Sequence, residues 1–173
     1  MRKVLIVIDM QNDFINGSLG TPEAQAIVSK VKDKIHQYQM NKDMIVFTQD
    51  THYDNYLDTP EGKKLPIKHC IKNTDGWKIS PNIDIKDYPH LEKNTFGYCA
   101  WLAIREVFLA DEIELVGLCT DICVISNALI LKNYFPDIKI IVDADCCAGT
   151  TPEKHKAALE VMKSCQVEVI HEN

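Results

Sequence analysis

A thiol that attacks a carbonyl carbon needs a group to take its proton, a cation to hold developing negative charge, and donors for the oxyanion. The 173-residue chain offers such a set in Asp9, Lys93 and Cys123. Asp9 directly follows the apolar run 4–8, Cys123 follows Thr120-Asp121 after the run 113–116, and Lys93 follows the weaker run 88–92. Singly, each has a bland reading: a turn former, a solvated lysine, a core cysteine. Their shared position at strand ends makes them a set, because ligands of an open parallel sheet bind beyond its carboxyl edge. In the first turn of a helix, the Cys123 thiol is expected to feel the positive end of the dipole and to have a lowered pKa.

A second group is Asp50 and His52, with His69 further on and Glu61 between. Residues two apart in an extended stretch point the same way, so Asp50 and His52 can grip one ion while the loop brings His69 round. Carboxylate and imidazole together suit a divalent metal, zinc first, with manganese or iron equally served. Against this, Glu61 lies in a polar Pro60-Glu61-Gly62-Lys63-Lys64 turn, and a lone His69 would be an ordinary loop residue. Phe14 and Phe96, close after Asp9 and Lys93, are placed to wall a flat substrate pocket or to pack at a loop base. Trp77 is expected to pin the long loop to the body of the protein.

These residues need a frame. Continuous runs of Val, Ile and Leu at 4–8, 44–48, 113–116 and 138–142 read as buried parallel strands, with 167–170 as a last strand and 88–92 as a weaker one. Amphipathic stretches at 23–38, 100–109, 123–134 and 152–165 read as helices, the last two opening at Thr120-Asp121 and at Thr151-Pro152. The alternation predicts an α/β fold: a single open, mostly parallel, doubly wound sheet of about six strands with helices on both faces. Residues 50–87 form one long irregular segment, and so long a loop in a compact domain is usually functional.

Bulk composition narrows the partners. A net charge of −6 gives no footprint for nucleic acid phosphates and no basic face for an anionic membrane. The basic Met1-Arg2-Lys3 and the apolar run after it mimic a signal peptide, but no small-residue cleavage site follows, so the run reads as a strand and the protein as cytoplasmic. Seven scattered cysteines without a CxxC pair fit neither a disulfide scaffold nor a zinc knuckle.

Five segments in order carry a family resemblance. They are Val7-Ile8-Asp9-Met10-Gln11-Asn12-Asp13-Phe14, Thr48-Gln49-Asp50-Thr51-His52, His69-Cys70 with Gly76-Trp77, Glu92-Lys93-Asn94-Thr95-Phe96, and Gly117-Leu118-Cys119-Thr120-Asp121-Ile122-Cys123-Val124. On these the chain resembles the isochorismatase-like cysteine hydrolases, nearest to the nicotinamidase-like amidases, over essentially its whole length. The resemblance implies one domain over residues 1–173 and a triad of Asp9, Lys93 and Cys123 that works through a thioester acyl-enzyme. It implies a cis peptide at Leu118–Cys119 and an oxyanion hole from the backbone N–H groups of Cys119 and Cys123. It further implies a metal held by Asp50, His52 and His69 with Glu61 nearby, no organic cofactor, and a dimer or tetramer. The leading expectation is hydrolysis of a small carboxamide, nicotinamide first, to the acid and ammonia. The alternatives are a metal-free N-carbamoyl or ureido amidohydrolase and a non-catalytic small-molecule binding module of the same fold.

Overall fold

Apolar runs without alternation need cover on both faces, which a parallel sheet between two helical layers supplies. The computed structural model, which describes residues 1–172, has that architecture. Strands β1 (Lys3–Ile8), β2 (Met44–Asp50), β3 (His90–Lys93), β4 (Glu112–Leu118), β5 (Lys139–Ala148) and β6 (Glu168–Ile170) form one sheet in the order β3-β2-β1-β4-β5-β6. Every pairing is parallel. The order reverses between β1 and β4, so the switch point, where a crevice opens at the carboxyl edge, lies between the strands that precede Asp9 and Cys123.

The helices are α1 (Asn12–Ile15), α2 (Pro22–Asn41), α3 (Pro60–Lys64), α4 (Arg105–Phe108), α5 (Ile125–Tyr134) and α6 (Pro152–Ser164). Leu5, Val7, Ile45 and Phe47 point to the face covered by Ile27, Val31 and Ile35 of α2. Val4, Ile6, Ile8 and Val46 point to the other, against Leu131 of α5 and Leu159 and Met162 of α6. Two long helices are capped by a threonine ahead of a proline: Thr21 accepts from the Ala24 N–H at 3.0 Å, and Thr151, the start expected for the last helix, from the Lys154 N–H at 3.2 Å. Among the described residues no helix is long and apolar enough to cross a membrane.

Three expectations change. The stretch 100–109 is not one helix: a 3₁₀ turn, Trp101–Ala103, gives way to extended backbone at Ile104 before the four-residue α4. Trp101 is fully buried and donates its Nε1–H to Asn127 Oδ1 at 3.1 Å, a demand of the core that overrides helical periodicity. The helix expected from 123 begins at Ile125, after a π-helical turn, Thr120–Val124, that holds Cys123. Strand β5 runs past residue 142 to Ala148, because its polar residue Asp143 meets Lys34 of α2 at 2.8 Å. Lys34 also contacts Glu114 of β4 at 2.6 Å, and Tyr38 donates to the same carboxylate at 2.7 Å, so the charges inside this face are paired.

Gly117 lies where β4 passes β1 just before the switch point, at a φ of +119°. A Cβ there would sit 2.1 Å from the Ile8 carbonyl oxygen. Gly117→Ala is therefore expected to cost more than about 2 kcal/mol and to lower Tm by roughly 5 °C or more in a thermal melt. A melt unchanged within error would show that β4 relaxes without cost.

Candidate active site and metal centre

The carboxyl edge of the sheet gathers side chains from four strands. Asp9 leaves β1 at a φ of +46°, and Thr48 of β2 donates to its Oδ1 at 2.6 Å. Parallel register sets Asp50, the last residue of β2, beside Lys93, the last of β3. The Lys93 ammonium then lies 2.6 Å from Asp9 Oδ2, 3.4 Å from Asp50 Oδ1 and 3.5 Å from Cys123 Sγ. Asp9, Lys93 and Cys123 are all buried, the Lys93 side chain to 1% exposure.

The electrostatics differ from the expectation of a low thiol pKa. Burial, followed by the Asp9 charge, pushes the Cys123 thiol far above its ordinary value, and Lys93 offsets only part of that. Burial also raises the Asp9 carboxyl, with Lys93 opposing it. Burial alone would lower Lys93, but the charges of Asp9, Cys123 and Asp50 overcome it, so the lysine stays a cation. The arrangement is thus a neutral thiol beside an ion pair whose carboxylate has a raised affinity for protons. The Leu118–Cys119 peptide is cis.

Asp50 faces two ways. Its Oδ2 lies 3.0 Å from His52 Nε2 and 3.8 Å from His69 Nε2. Glu61, carried on α3 rather than in an open turn, places Oε1 3.7 Å from His52 Nε2 and 3.8 Å from His69 Nε2. Potential ligand atoms of Asp50, His52 and His69 all fall within 4.8 Å of one another. His69 Nδ1 donates to the Ile67 carbonyl at 2.8 Å, which turns its Nε2 toward Asp50 and Glu61, and His52 Nε2 is buried facing the same two carboxylates. Two imidazole nitrogens and a carboxylate aimed at one point fit a divalent cation. Phe14 packs against His69 at 5.6 Å between ring centroids, whereas Phe96 is 49% exposed.

Several supporting residues escaped sequence reasoning as individuals. Gln11 is fully buried; its Oε1 accepts from the Asp50 N–H at 2.7 Å and its Nε2 donates to the carbonyls of Asp50 and Trp77, both at 2.8 Å. Asp13 Oδ2 accepts from the Cys70 N–H at 2.7 Å, fixing the backbone next to His69. Tyr56 stacks edge-on against both His52 and His69. Trp77 does pin the loop, donating its Nε1–H to Thr51 Oγ1 at 2.9 Å. The available signal for Gln11 and Asp13 was their place in the polar run just after Asp9, which no helical or strand period explains.

This fold and edge define an open parallel α/β class with a polar cluster at its switch point, and comparison with known proteins makes the assignment. Residues 3–173 match the isochorismatase domain, and the chain belongs to that family; the protein is an enzyme, a hydrolase. Over 97% of its length it is 27% identical to the nicotinamidase/pyrazinamidase of Mycobacterium tuberculosis, covering 98% of that protein. It superposes on the pyrazinamidase of Pyrococcus horikoshii in complex with zinc with a TM-score of 0.85 and 27% identity, over 99% of this chain and all of that one. The N-carbamoylsarcosine amidase of Thermoplasma acidophilum is similar too, with a TM-score of 0.79 and 26% identity over 98% of this chain and 95% of that one.

Lys93→Met leaves Asp9 and Asp50 as buried carboxylates without their shared cation and is expected to cost about 3–5 kcal/mol at pH 7. The loss should shrink toward pH 4. Burial already raises the folded Asp9 pKa above its ordinary 3.8 with Lys93 opposing the rise, so without the lysine it rises further and the variant gains more stability than wild type as pH falls. Urea midpoints of variant and wild type at several pH values check this, and a pH-independent difference would contradict it.

Proposed function

We propose that the protein is a cysteine-dependent amidase that hydrolyses nicotinamide, or a closely similar planar carboxamide, to the acid and ammonia. The observation that carries this reading is the buried Asp9–Lys93–Cys123 cluster, joined through the Asp50 carboxylate to His52 and His69. Similarity to the M. tuberculosis and P. horikoshii enzymes supports the substrate class.

In this reading Cys123 Sγ attacks the amide carbon, and the thiol proton passes to Asp9, whose burial has raised its affinity for it. Lys93 holds the transient charge on sulfur. The carbonyl oxygen becomes an oxyanion, received by the backbone N–H groups of Cys119 and Cys123. As the carbon–nitrogen bond breaks, Asp9 returns the proton to the departing amine, leaving a thioester on Cys123. Water then attacks the thioester, Asp9 takes its proton, and the thiol regains one as the acid leaves.

Asp50, His52 and His69, with Glu61 at the margin, would hold a divalent cation, zinc first and manganese or iron by the same donor logic. When bound, such an ion supplies a Lewis-acidic position for the ring nitrogen of a pyridine carboxamide, a positioning role rather than activation of the nucleophile. Phe14 and Phe96 are read as pocket walls, the latter about half exposed. The reading also takes residues 1–173 as a single cytoplasmic domain that self-associates as a dimer or tetramer. The second reading, a metal-free N-carbamoyl hydrolase, is favoured by the likeness to the T. acidophilum enzyme.

Ammonia release from nicotinamide, pyrazinamide and N-carbamoyl amino acids separates the two. Nicotinamide turnover is expected, with Cys123→Ala and Asp9→Asn each losing at least about 10³-fold. Retained turnover in Cys123→Ala would move the nucleophile elsewhere. His52→Ala should lose metal content, read by atomic emission, together with activity on the pyridine carboxamide. Full activity in that variant, or in chelator-stripped wild type, would sink the metal-dependent reading and leave the carbamoyl hydrolase as the better account.

A further inference from the structure

The π-helical turn Thr120–Val124 that carries Cys123 is held from behind by the segment joining β5 to α6. Asp121 Oδ1 accepts from the Thr150 N–H and Oδ2 from the Thr150 hydroxyl, each at 2.7 Å. One residue earlier in the turn, the fully buried Thr120 hydroxyl lies 2.8 Å from His155 Nδ1 on the first turns of α6. Close approach here depends on Gly149: a Cβ at that position would meet the His155 nitrogen at 2.8 Å and Asp121 Oδ1 at 2.9 Å. On its other side the turn is tied by Asn127, whose Nδ2 donates to the Cys123 carbonyl at 2.8 Å. The turn is therefore gripped at Asp121, at Cys123 and at Thr120. The Thr120 grip alone comes from a titratable ring, one that the proposed chemistry does not use.

We propose that His155 is a positioning residue: through its hydrogen bond to Thr120 it fixes the turn from which the Cys123 thiol and the Cys119 and Cys123 N–H groups project. This rests on the amidase reading for its catalytic consequence. Among the described residues His155 makes its side-chain hydrogen bond to Thr120, and none joins it to Asp9, Lys93 or Cys123. Burial holds the imidazole below its ordinary pKa, partly offset by Asp121 and by Glu172 near the chain end, so the ring is neutral at pH 7 and pairs with the hydroxyl as a neutral group. A hydroxyl–imidazole bond is directional, so losing it frees the turn to shift by a fraction of an ångström. Displacements on that scale, far from the chemistry, are costly in rate.

The test combines three single variants and one double variant with two readouts. His155→Phe keeps ring volume but removes the partner, Thr120→Val removes the hydroxyl at nearly constant shape, and His155→Asn returns a polar atom close to the position of Nδ1. Readouts are kcat and KM on nicotinamide, and the rate at which iodoacetamide labels Cys123, followed by peptide mass spectrometry. The expected result is a fall of about tenfold or more in kcat and in labelling rate for His155→Phe and for Thr120→Val, with KM within about threefold. His155→Asn should recover most of both. The double variant Thr120→Val, His155→Phe should be no worse than either single one, because one bond is lost in all three. Labelling and kcat at wild-type level in Thr120→Val, or single effects that multiply in the double variant, would overturn the proposal. Should His155→Phe fail to fold, Thr120→Val and His155→Asn decide it alone. Turnover surviving in Cys123→Ala would instead overturn the amidase mechanism, while labelling of Cys123 would still report on the turn.

Discussion

Everything at the carboxyl edge is organised around one buried ammonium. Lys93 sits at the end of the short edge-side strand β3 with almost no solvent contact, ringed by Asp9 at 2.6 Å, Asp50 at 3.4 Å and Cys123 at 3.5 Å. Removing such a cation from water costs several kcal/mol, and only close anionic partners offset that. The partners must therefore be there, and the fold delivers them by register: parallel pairing sets Asp50 against Lys93, and the switch point sets Asp9 and the Cys123 turn to one side. In return, the ammonium makes tolerable two carboxylates that would each be unstable as buried charges, and it sits beside a thiol that burial keeps neutral.

Asp50 ties this cluster to the second one. One of its oxygens faces Lys93 and the other faces His52 and His69, so a single carboxylate borders both the Asp9–Lys93–Cys123 cluster and the imidazole pair. Its position depends on Gln11, which satisfies the Asp50 backbone at both the N–H and the carbonyl while holding Trp77 at the root of the long loop. Asp13 does the corresponding work for the backbone beside His69. The polar run after β1 thus serves as scaffold for a loop many residues away, which gives it a physical reason to be polar while buried.

Much of this was legible in the sequence. Unbroken Val, Ile and Leu runs require two-sided burial, and two-sided burial of strands joined by helices leaves little choice but a doubly wound parallel sheet. A sheet of that kind exposes chemistry at one edge only, so Asp9, Asp50, His52, Lys93 and Cys123 were recognisable from their positions after strands. The threonine–proline start of α6 was equally local, since a cap is made within four residues.

Other features were decided only when the chain closed on itself. Periodicity made 100–109 a helix, but burial of Trp101 against Asn127 broke it, and that contact spans 26 residues. The dipole argument predicted an acidic thiol at Cys123. Complete burial beside Asp9 reversed the sign, because desolvation is a property of the packed site and not of the local turn. Glu61 looked solvated in its turn until α3 carried it to within 4 Å of both histidines. Residue type, strand ends and caps are local quantities that sequence carries in full, whereas dielectric environment and distances between side chains far apart in the chain exist only in the folded state. The sequence by itself therefore determined the sheet and the edge where chemistry gathers, and the tertiary structure alone decided the charge balance at that edge and which residues hold it in place.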